Sequence, residues 1–212
     1  MALARALSAA LAGVEAYTVA LEVDLARQGM PSFTMVGLAE GAVRESKERV
    51  LAALKNQGFK LPPARITVNL APADTRKEGS AYDLPLALGL LAACEALPAS
   101  ALEGFFLAGE LSLTGELKPV PGVLPLAIRA RAEGARGLLV PAANAQEAAM
   151  VQGLDVYGLD SLTQAVALLR GEDRPEPTAF DPAVLEPPPD PFPLDFSEVK
   201  GQEHAKRAIE IA

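Results

Sequence analysis

The sequence predicts a layered α+β (α/β) domain, and three observations support this fold class. Segments in which apolar and polar residues alternate, typical of half-buried strands, occupy the first part of the chain. A strand, a charged loop and a long apolar helix follow one another within residues 65–96. Beyond residue 104, short apolar strands alternate with helical segments. Because all these segments can share one apolar core, we expect a single domain over residues 1–170.

The first segments are predicted to form strands at the front of the domain. Residues 1–12 are rich in alanine and fit either a short helix or a strand. Apolar and polar residues alternate over residues 15–25, which indicates a strand with one solvent-exposed face. Residues 32–37 alternate again after a turn at 27–31, so the pattern predicts that these two strands form a hairpin.

Residues 40–57 change to the helical period. The charged residues of this segment are predicted to lie largely on one face, and Gly58 follows at a position where helices often end. The opposite, buried face is predicted to consist of Val43, Ser46, Val50, Ala53 and Leu54.

The stretch around residues 65–96 is the first place to look for a site. Residues 65–71 alternate as a strand, and Pro72 ends the strand because it has no N–H to donate. The apolar run from Asp83 onward predicts a buried helix. The loop between them carries four charges within residues 74–78. Loops that follow a strand often carry binding residues, so this loop is the main candidate.

The remaining elements up to residue 170 are short. Ser161 is predicted to cap the last helix, since a serine hydroxyl accepts a hydrogen bond from the first turn. The predicted strands are 105–111, 113–117, 137–141 and 154–158, and the predicted helices are 123–133, 143–151 and 161–169.

The composition changes after residue 170. Residues 171–194 contain eight prolines, and residues 171–199 contain eight acids and one base. This composition predicts an extended, poorly ordered linker. Residues 205–211 form an amphipathic helical pattern, so residues 195–212 are expected to begin a further domain. A phosphate-binding loop of the Gly-x-x-x-x-Gly-Lys-Ser/Thr type does not occur in the sequence.

Composition excludes several classes of site. Cys94 and His204 are the only cysteine and histidine, so an internal disulfide is excluded, and a metal site would need carboxylates that do not cluster here. The sequence has no long apolar run and no leader pattern, so we expect a cytoplasmic protein that does not enter a membrane. The net charge is −8, but residues 40–80 hold eight bases against five acids. That local excess permits contacts with phosphate.

Five separated motifs resemble the ComM/YifB family of magnesium-chelatase-like AAA+ ATPases. They are Phe33–Leu38, Asn69–Asp74, Lys77–Pro85, Gly109–Leu111 with Gly115–Leu117, and Asp195–Phe196 with Val199–Gln202. The resemblance implies a family N-terminal domain followed by the start of its ATPase domain, which would be its partner within the chain. It also implies that Val199, Lys200, Gly201 and Gln202 lie on the adenine side of a nucleotide site.

The same resemblance implies properties of the full-length protein. ComM itself is regarded as a hexameric DNA helicase that promotes branch migration during natural transformation, and the resemblance implies a similar role. ATP and Mg would then be cofactors of the full-length protein, whereas no cofactor is expected in residues 1–212.

The N-terminal domain resembles the protease domain of Lon, which has the ribosomal protein S5 domain 2-like fold. Aligned without gaps from Lys77, the nucleophilic serine of that family falls on Ala81. Aligned from Gly109, its lysine base falls on Leu124. Ser80 is one place away and Lys118 six. Since a Ser–Lys dyad needs a hydroxyl and an amine, the resemblance implies an inactive relative without catalytic residues.

Three functions follow from these observations. We expect an assembly and DNA-engagement domain in which Arg76 and Lys77 project from their loop and touch DNA phosphates. The first alternative is an active Ser/Lys peptidase that uses Ser80. The second is a domain that binds only protein partners.

Overall fold

The computed structural model describes residues 2–39, 41–75, 77, 79–185 and 198–211. The chain divides into two compact units, Met1–Phe180 and Asp181–Ala212.

Strands of the first unit are β1 (Ala2–Ala12), β2 (Glu15–Ala26), β3 (Ser32–Val36), β4 (Arg65–Ala71), β5 (Phe105–Leu107), β6 (Glu110–Leu111), β7 (Leu117–Lys118), β8 (Gly137–Pro141) and β9 (Asp155–Leu159). Its helices are α1 (Gly41–Asn56), α2 (Asp83–Ala93), α3 (Val123–Ala132), α4 (Ala145–Ala149) and α5 (Leu162–Arg170). The second unit contains α6 (Glu203–Ile211).

Seven of these strands form one sheet in the order β3-β4-β2-β1-β5-β8-β9. Strand β2 runs antiparallel to both of its neighbours, and the other four pairings are parallel. One apolar layer joins the sheet to α1, α2 and α5, and a second joins it to α3 and α4. The predicted layered mixture of helices and strands is confirmed.

The predicted hairpin of residues 15–25 with residues 32–37 is wrong. Strand β2 instead forms a hairpin with β1, in register from Ala2 opposite Leu25 to Ala12 opposite Glu15. Strand β4 then lies between β2 and β3. Alternation defines the two faces of a strand but not its neighbours. Strand β3 is only five residues long and has no fully buried residue, so it suits the edge position that it occupies.

The predicted strand 105–111 is interrupted after Leu107. Gly109 leaves the sheet, because its N–H donates to the carbonyl of Ala81 (3.0 Å) and its own carbonyl accepts from the N–H of Leu84 (3.0 Å). Residues 113–117 lie mostly in the turn between β6 and β7, so the strand predicted there is also wrong. These bonds attach the chain after β5 to the loop before α2.

The predicted helical and strand segments around the central stretch are confirmed. The five residues predicted for the inner face of α1 are all buried, and every residue of α2 is buried. Strands β4 and β8 begin and end at the predicted residues. The Ser161 hydroxyl accepts from the N–H of Gln164 (3.3 Å), as expected of a cap.

Gly37 allows the chain to leave β3 close to β4. Its φ is +96°, and a Cβ atom at this position would lie 2.2 Å from the carbonyl oxygen of Leu70. A side chain cannot fit there. Because β3 and β4 are parallel, the loops that follow them lie at the same edge of the sheet, and the N–H of Lys77 donates to the carbonyl of Leu38 (3.2 Å).

The first unit extends past the predicted boundary at residue 170. The N–H of Thr178 donates to the carbonyl of Val156 (2.7 Å), and Gln146 donates to the carbonyl of Ala179 (3.1 Å). Thr178 and Ala179 of the predicted linker therefore contact β9 and α4, whereas residues 171–177 are exposed, and residues 186–194 lie outside the described residues.

In the second unit, α6 presents Ile209 and Ile211 to solvent. Throughout the described part of the chain, each helix is too short or too polar to span a bilayer.

Candidate functional site

A cleft of about 650 Å³ lies where three segments of the first unit meet. Its walls are the end of the β1–β2 hairpin, the loop before α2 and the turn before α3. Small residues form much of the lining, among them Ala9, Ala12, Ala81 and Gly122. A volume of this size is typical of sites for small ligands or short peptide segments.

The hairpin wall is formed by the last residues of β1. Strand β1 pairs with β2 over its whole length but with β5 only at Leu7, opposite Phe106. Beyond Leu7, residues 8–12 have β2 on one side, and within the described residues no strand pairs with their other side. Residues 9–12 line the cleft.

The loop wall consists of Gly79–Tyr82. Ser80 and Ala81 are half-buried, and the carbonyl of Ser80 accepts from the N–H of Asp83 (3.2 Å), where α2 begins. Tyr82 is buried, and this burial raises the pKa of its phenol, with nearby Tyr17 adding to the shift. The Tyr82 phenol is therefore neutral at physiological pH.

The third wall is held in place by two polar side chains. Asn144 is buried and pairs with Val120 twice: its Oδ1 accepts from the N–H and its Nδ2 donates to the carbonyl, both at 2.9 Å. Glu147 accepts from the N–H of Leu124 (2.9 Å) in the first turn of α3, where a carboxylate is favoured. Gly122 has a φ of +75°, and a Cβ atom there would lie 2.5 Å from the Leu11 side chain. The turn therefore packs tightly against β1.

The side chain of Lys77 binds the amino-terminal half of the charged loop. Its side chain is fully buried, and its ammonium group donates to the carbonyls of Pro72 and Thr75, the latter at 2.6 Å. Burial lowers the pKa of Lys77, and the carboxylate of Asp74 opposes part of that shift. In this conformation Lys77 holds the loop together and does not project from it as predicted.

Asp83 closes the other end of the loop, and sequence reasoning missed its partner. Arg49 of α1 donates to both carboxylate oxygens of Asp83, at 2.8 and 3.0 Å, and the N–H of Leu111 donates to the same carboxylate (3.1 Å). Asp83 is fully buried. The bonds to Asp83 raise the pKa of Arg49 against the cost of its desolvation.

A signal for the Arg49–Asp83 pair was present in the sequence. Arg49 borders the predicted apolar face of α1, next to Val50, and Asp83 is the acidic residue at the start of an otherwise apolar helix. No pattern in the sequence connected the two residues, because they are 34 positions apart.

The residues predicted for phosphate binding (Arg76 and Lys77) and those considered for catalysis (Ser80 and Lys118) do not come together in one site within the described residues. Arg76 lies outside the described residues, whereas Lys77 is buried. Ser80 lines the cleft, and the lining residues that the structure describes supply no amine. Lys118 is paired with Glu116 (2.8 Å) on the surface, and this pairing lowers the pKa of Glu116.

The four residues predicted for the adenine side of a nucleotide site lie in the second unit. Val199 and Lys200 are exposed, Gly201 and Gln202 have φ of +73° and +61°, and the carbonyl of Gln202 accepts from the N–H of Lys206 (3.0 Å). Their nucleotide role remains a prediction. Within the described residues, acidic, histidine and cysteine side chains do not gather into a metal site.

Comparison with known proteins gives matches across the chain. The family described as subunit ChlI of Mg-chelatase matches residues 21–144. Competence protein ComM of Haemophilus influenzae is 44% identical over 100% of this chain and 42% of its own length. YifB of Escherichia coli is 42% identical over 94% of this chain and 38% of its own length.

A more distant match is with a Lon protease. Lon protease 2 of Bacillus subtilis is 26% identical over 130 residues, which is 61% of this chain and 22% of that protein. The chain spans about two fifths of the length of the ComM and YifB relatives.

Proposed function

The chain belongs to the family of subunit ChlI of Mg-chelatase, and we propose that its first unit is the non-catalytic assembly and DNA-engagement domain of a magnesium-chelatase-like AAA+ ATPase. By analogy with its ComM and YifB relatives, the full-length protein would be a hexamer that uses ATP and Mg to act on branched DNA. Val199, Lys200, Gly201 and Gln202 would then lie beside the adenine base.

The observation that carries the non-catalytic role is that the described lining of the cleft contains a serine but no amine. The positions that resemble the Lon nucleophile and base hold Ala81 and Leu124, neither of which can exchange a proton. Ser80 offers a hydroxyl at the cleft, but the ammonium of the nearby Lys77 is bonded to loop carbonyls. Without a base to accept its proton, a serine hydroxyl is a weak nucleophile.

The proposed contact with DNA rests on the loop between β4 and α2. The proposed contact is assigned to Arg76, because Lys77, the other base of this loop, is buried. Lys77 would join the contact only if the loop opened. Asp74 is exposed on the same loop and would weaken the attraction, so we expect one phosphate contact that depends strongly on salt.

The experiment is a measurement of ATP hydrolysis, branched-DNA unwinding and DNA affinity in the full-length protein. Arg76→Ala should lower DNA affinity and reduce the salt slope by about one unit, as expected for one lost phosphate contact. Arg5→Ala, which removes an exposed charge from β1, is the matched control and should change neither quantity.

Deleting residues 1–180 should abolish or strongly impair unwinding while leaving an ATPase that hydrolyses ATP. Unchanged DNA binding in Arg76→Ala, together with loss of activity in the deletion, would favour the alternative in which the domain binds protein partners alone. Full unwinding by the deletion variant would contradict the proposal entirely.

The peptidase alternative has its own test. A fluorophosphonate probe should not label the protein, because Ser80 lacks an activating base. Labelling that disappears in Ser80→Ala would establish a reactive serine and overturn the non-catalytic role.

A further inference from the structure

The cleft contains a strand edge that no element of the described structure uses. Successive peptide groups of a strand point to opposite sides, so a strand between two neighbours is bonded on both edges. Beyond Leu7, β1 continues for five residues with β2 on one side, and the last four of them, Ala9–Ala12, line the cleft. Some N–H and C=O groups of residues 9–12 are therefore available for pairing from within the cleft.

The shape of the cleft suits an extended chain. The four strand residues at the cleft are about 13 Å long, so a pentapeptide in the β conformation would cover them and extend about one residue beyond. The loop wall contributes two small residues, Gly79 and Ala81, and a Cβ atom at Gly79 would meet no other atom within 4 Å, so this wall leaves room for a backbone. The cavity of about 650 Å³ exceeds what one side chain would fill.

The charge of the cleft indicates which side chains a bound peptide would carry. Asp74 is the charged member of the described lining, and it is exposed to solvent. Its carboxylate would attract a basic side chain at the rim, whereas the alanine-rich interior favours small apolar residues.

We propose that the cleft binds an extended peptide segment of a partner protein as a strand added to β1, with a lysine or arginine next to Asp74. This rests on the proposed function in one respect, since the segment is bound and not cleaved. Pairing of the peptide backbone with β1 supplies the affinity, and the alanine-rich lining and Asp74 supply the specificity. This assigns the protein-binding part of the domain to one surface.

The test uses pools of fluorescein-labelled pentapeptides. One pool begins with lysine and varies alanine, valine, serine and threonine at the other positions, and the matched pool begins with glutamate. Fluorescence anisotropy should show binding of the lysine pool to the protein and about fivefold weaker binding of the glutamate pool. Asp74→Asn should reduce that preference, whereas Asp155→Asn, which changes an exposed aspartate on β9, should not.

Two further measurements distinguish strand addition from adsorption to an apolar surface. Methylating alternate peptide nitrogens removes backbone donors and should weaken binding by about tenfold in one of the two alternation patterns. Ala12→Trp should block the cleft, and Val14→Trp at the exposed hairpin tip, outside the lining, is the control.

Equal binding of methylated and unmethylated peptides would overturn strand addition. Absence of binding by either pool would overturn the proposed site and leave the DNA role of Arg76 standing. Appearance of cleaved peptide would overturn both this proposal and the non-catalytic function.

Discussion

Two buried charged side chains hold the loop between β4 and α2: Lys77, which binds its strand end, and Asp83, where the loop meets the helix. The groups that bind these two charges differ. Asp83, at the helix end, receives a guanidinium from α1 and an N–H from β6. Among the described residues, the Lys77 ammonium donates to carbonyl groups of its own loop, and the Asp74 carboxylate that acts on it also belongs to this loop. The helix end is therefore tied to other elements of the fold, whereas the side chain at the strand end stabilises only the local turn.

Removing the Arg49–Asp83 ion pair at the helix end of the loop should reduce stability the most. Arg49→Ala leaves the Asp83 carboxylate buried without its counter-charge, and we expect the free energy of unfolding to fall by about 3 kcal/mol or more. Urea denaturation of the first unit measures this. Arg49→Met combined with Asp83→Leu should recover part of the loss, because apolar residues can replace a buried pair. A loss below about 1 kcal/mol in Arg49→Ala would remove the contrast between the two ends.

Replacing Lys77, which binds the strand end of the loop, should reduce the free energy of unfolding by less. Lys77→Met keeps the length of the side chain but leaves the carbonyls of Pro72 and Thr75 without their donor, for an expected loss of about 1–3 kcal/mol. The same denaturation experiment applies, and DNA affinity of the full-length variant should be close to that of the wild type. A fall in DNA affinity without a fall in stability would show that Lys77 leaves its buried position to bind phosphate.

The strand end should also respond to pH. Burial lowers the pKa of Lys77 below its ordinary value of 10.5. Between the lowered value and 10.5, the unfolded chain binds more protons than the folded one, so this residue makes the wild type more stable as pH rises. The unfolding free energy of the wild type relative to Lys77→Met should therefore increase from neutral pH toward 10.5. A flat difference would indicate that the folded and unfolded chains hold this proton equally.

The middle of the loop should be the least sensitive. Ser80→Ala removes a half-buried hydroxyl between the two anchored ends, and we expect a change within about 0.5 kcal/mol. Thermal and urea unfolding both measure this. A loss above about 1 kcal/mol would indicate a hydrogen bond that fixes the loop wall of the cleft.

The sequence predicted which loop carries the candidate site, but not which other segments surround it or which of its side chains are buried. The charged loop, its strand and its helix were identified from alternation and from the apolar run after Asp83. The cleft beside it was not, because its walls come from segments about 40 to 110 residues apart in the chain. The burial of Lys77 was also missed, since a lysine in a polar loop is usually exposed.

The sequence alone determined the period of each segment, the buried face of α1, most helix and strand positions and the family resemblance. These depend on neighbours in the chain, which a pattern records directly. The tertiary structure decided that β4 separates β2 from β3, that Arg49 meets Asp83 and that the end of β1 keeps an open edge. Those outcomes depend on which distant segments come together, and side-chain periodicity carries no information about the partner on a strand's edge.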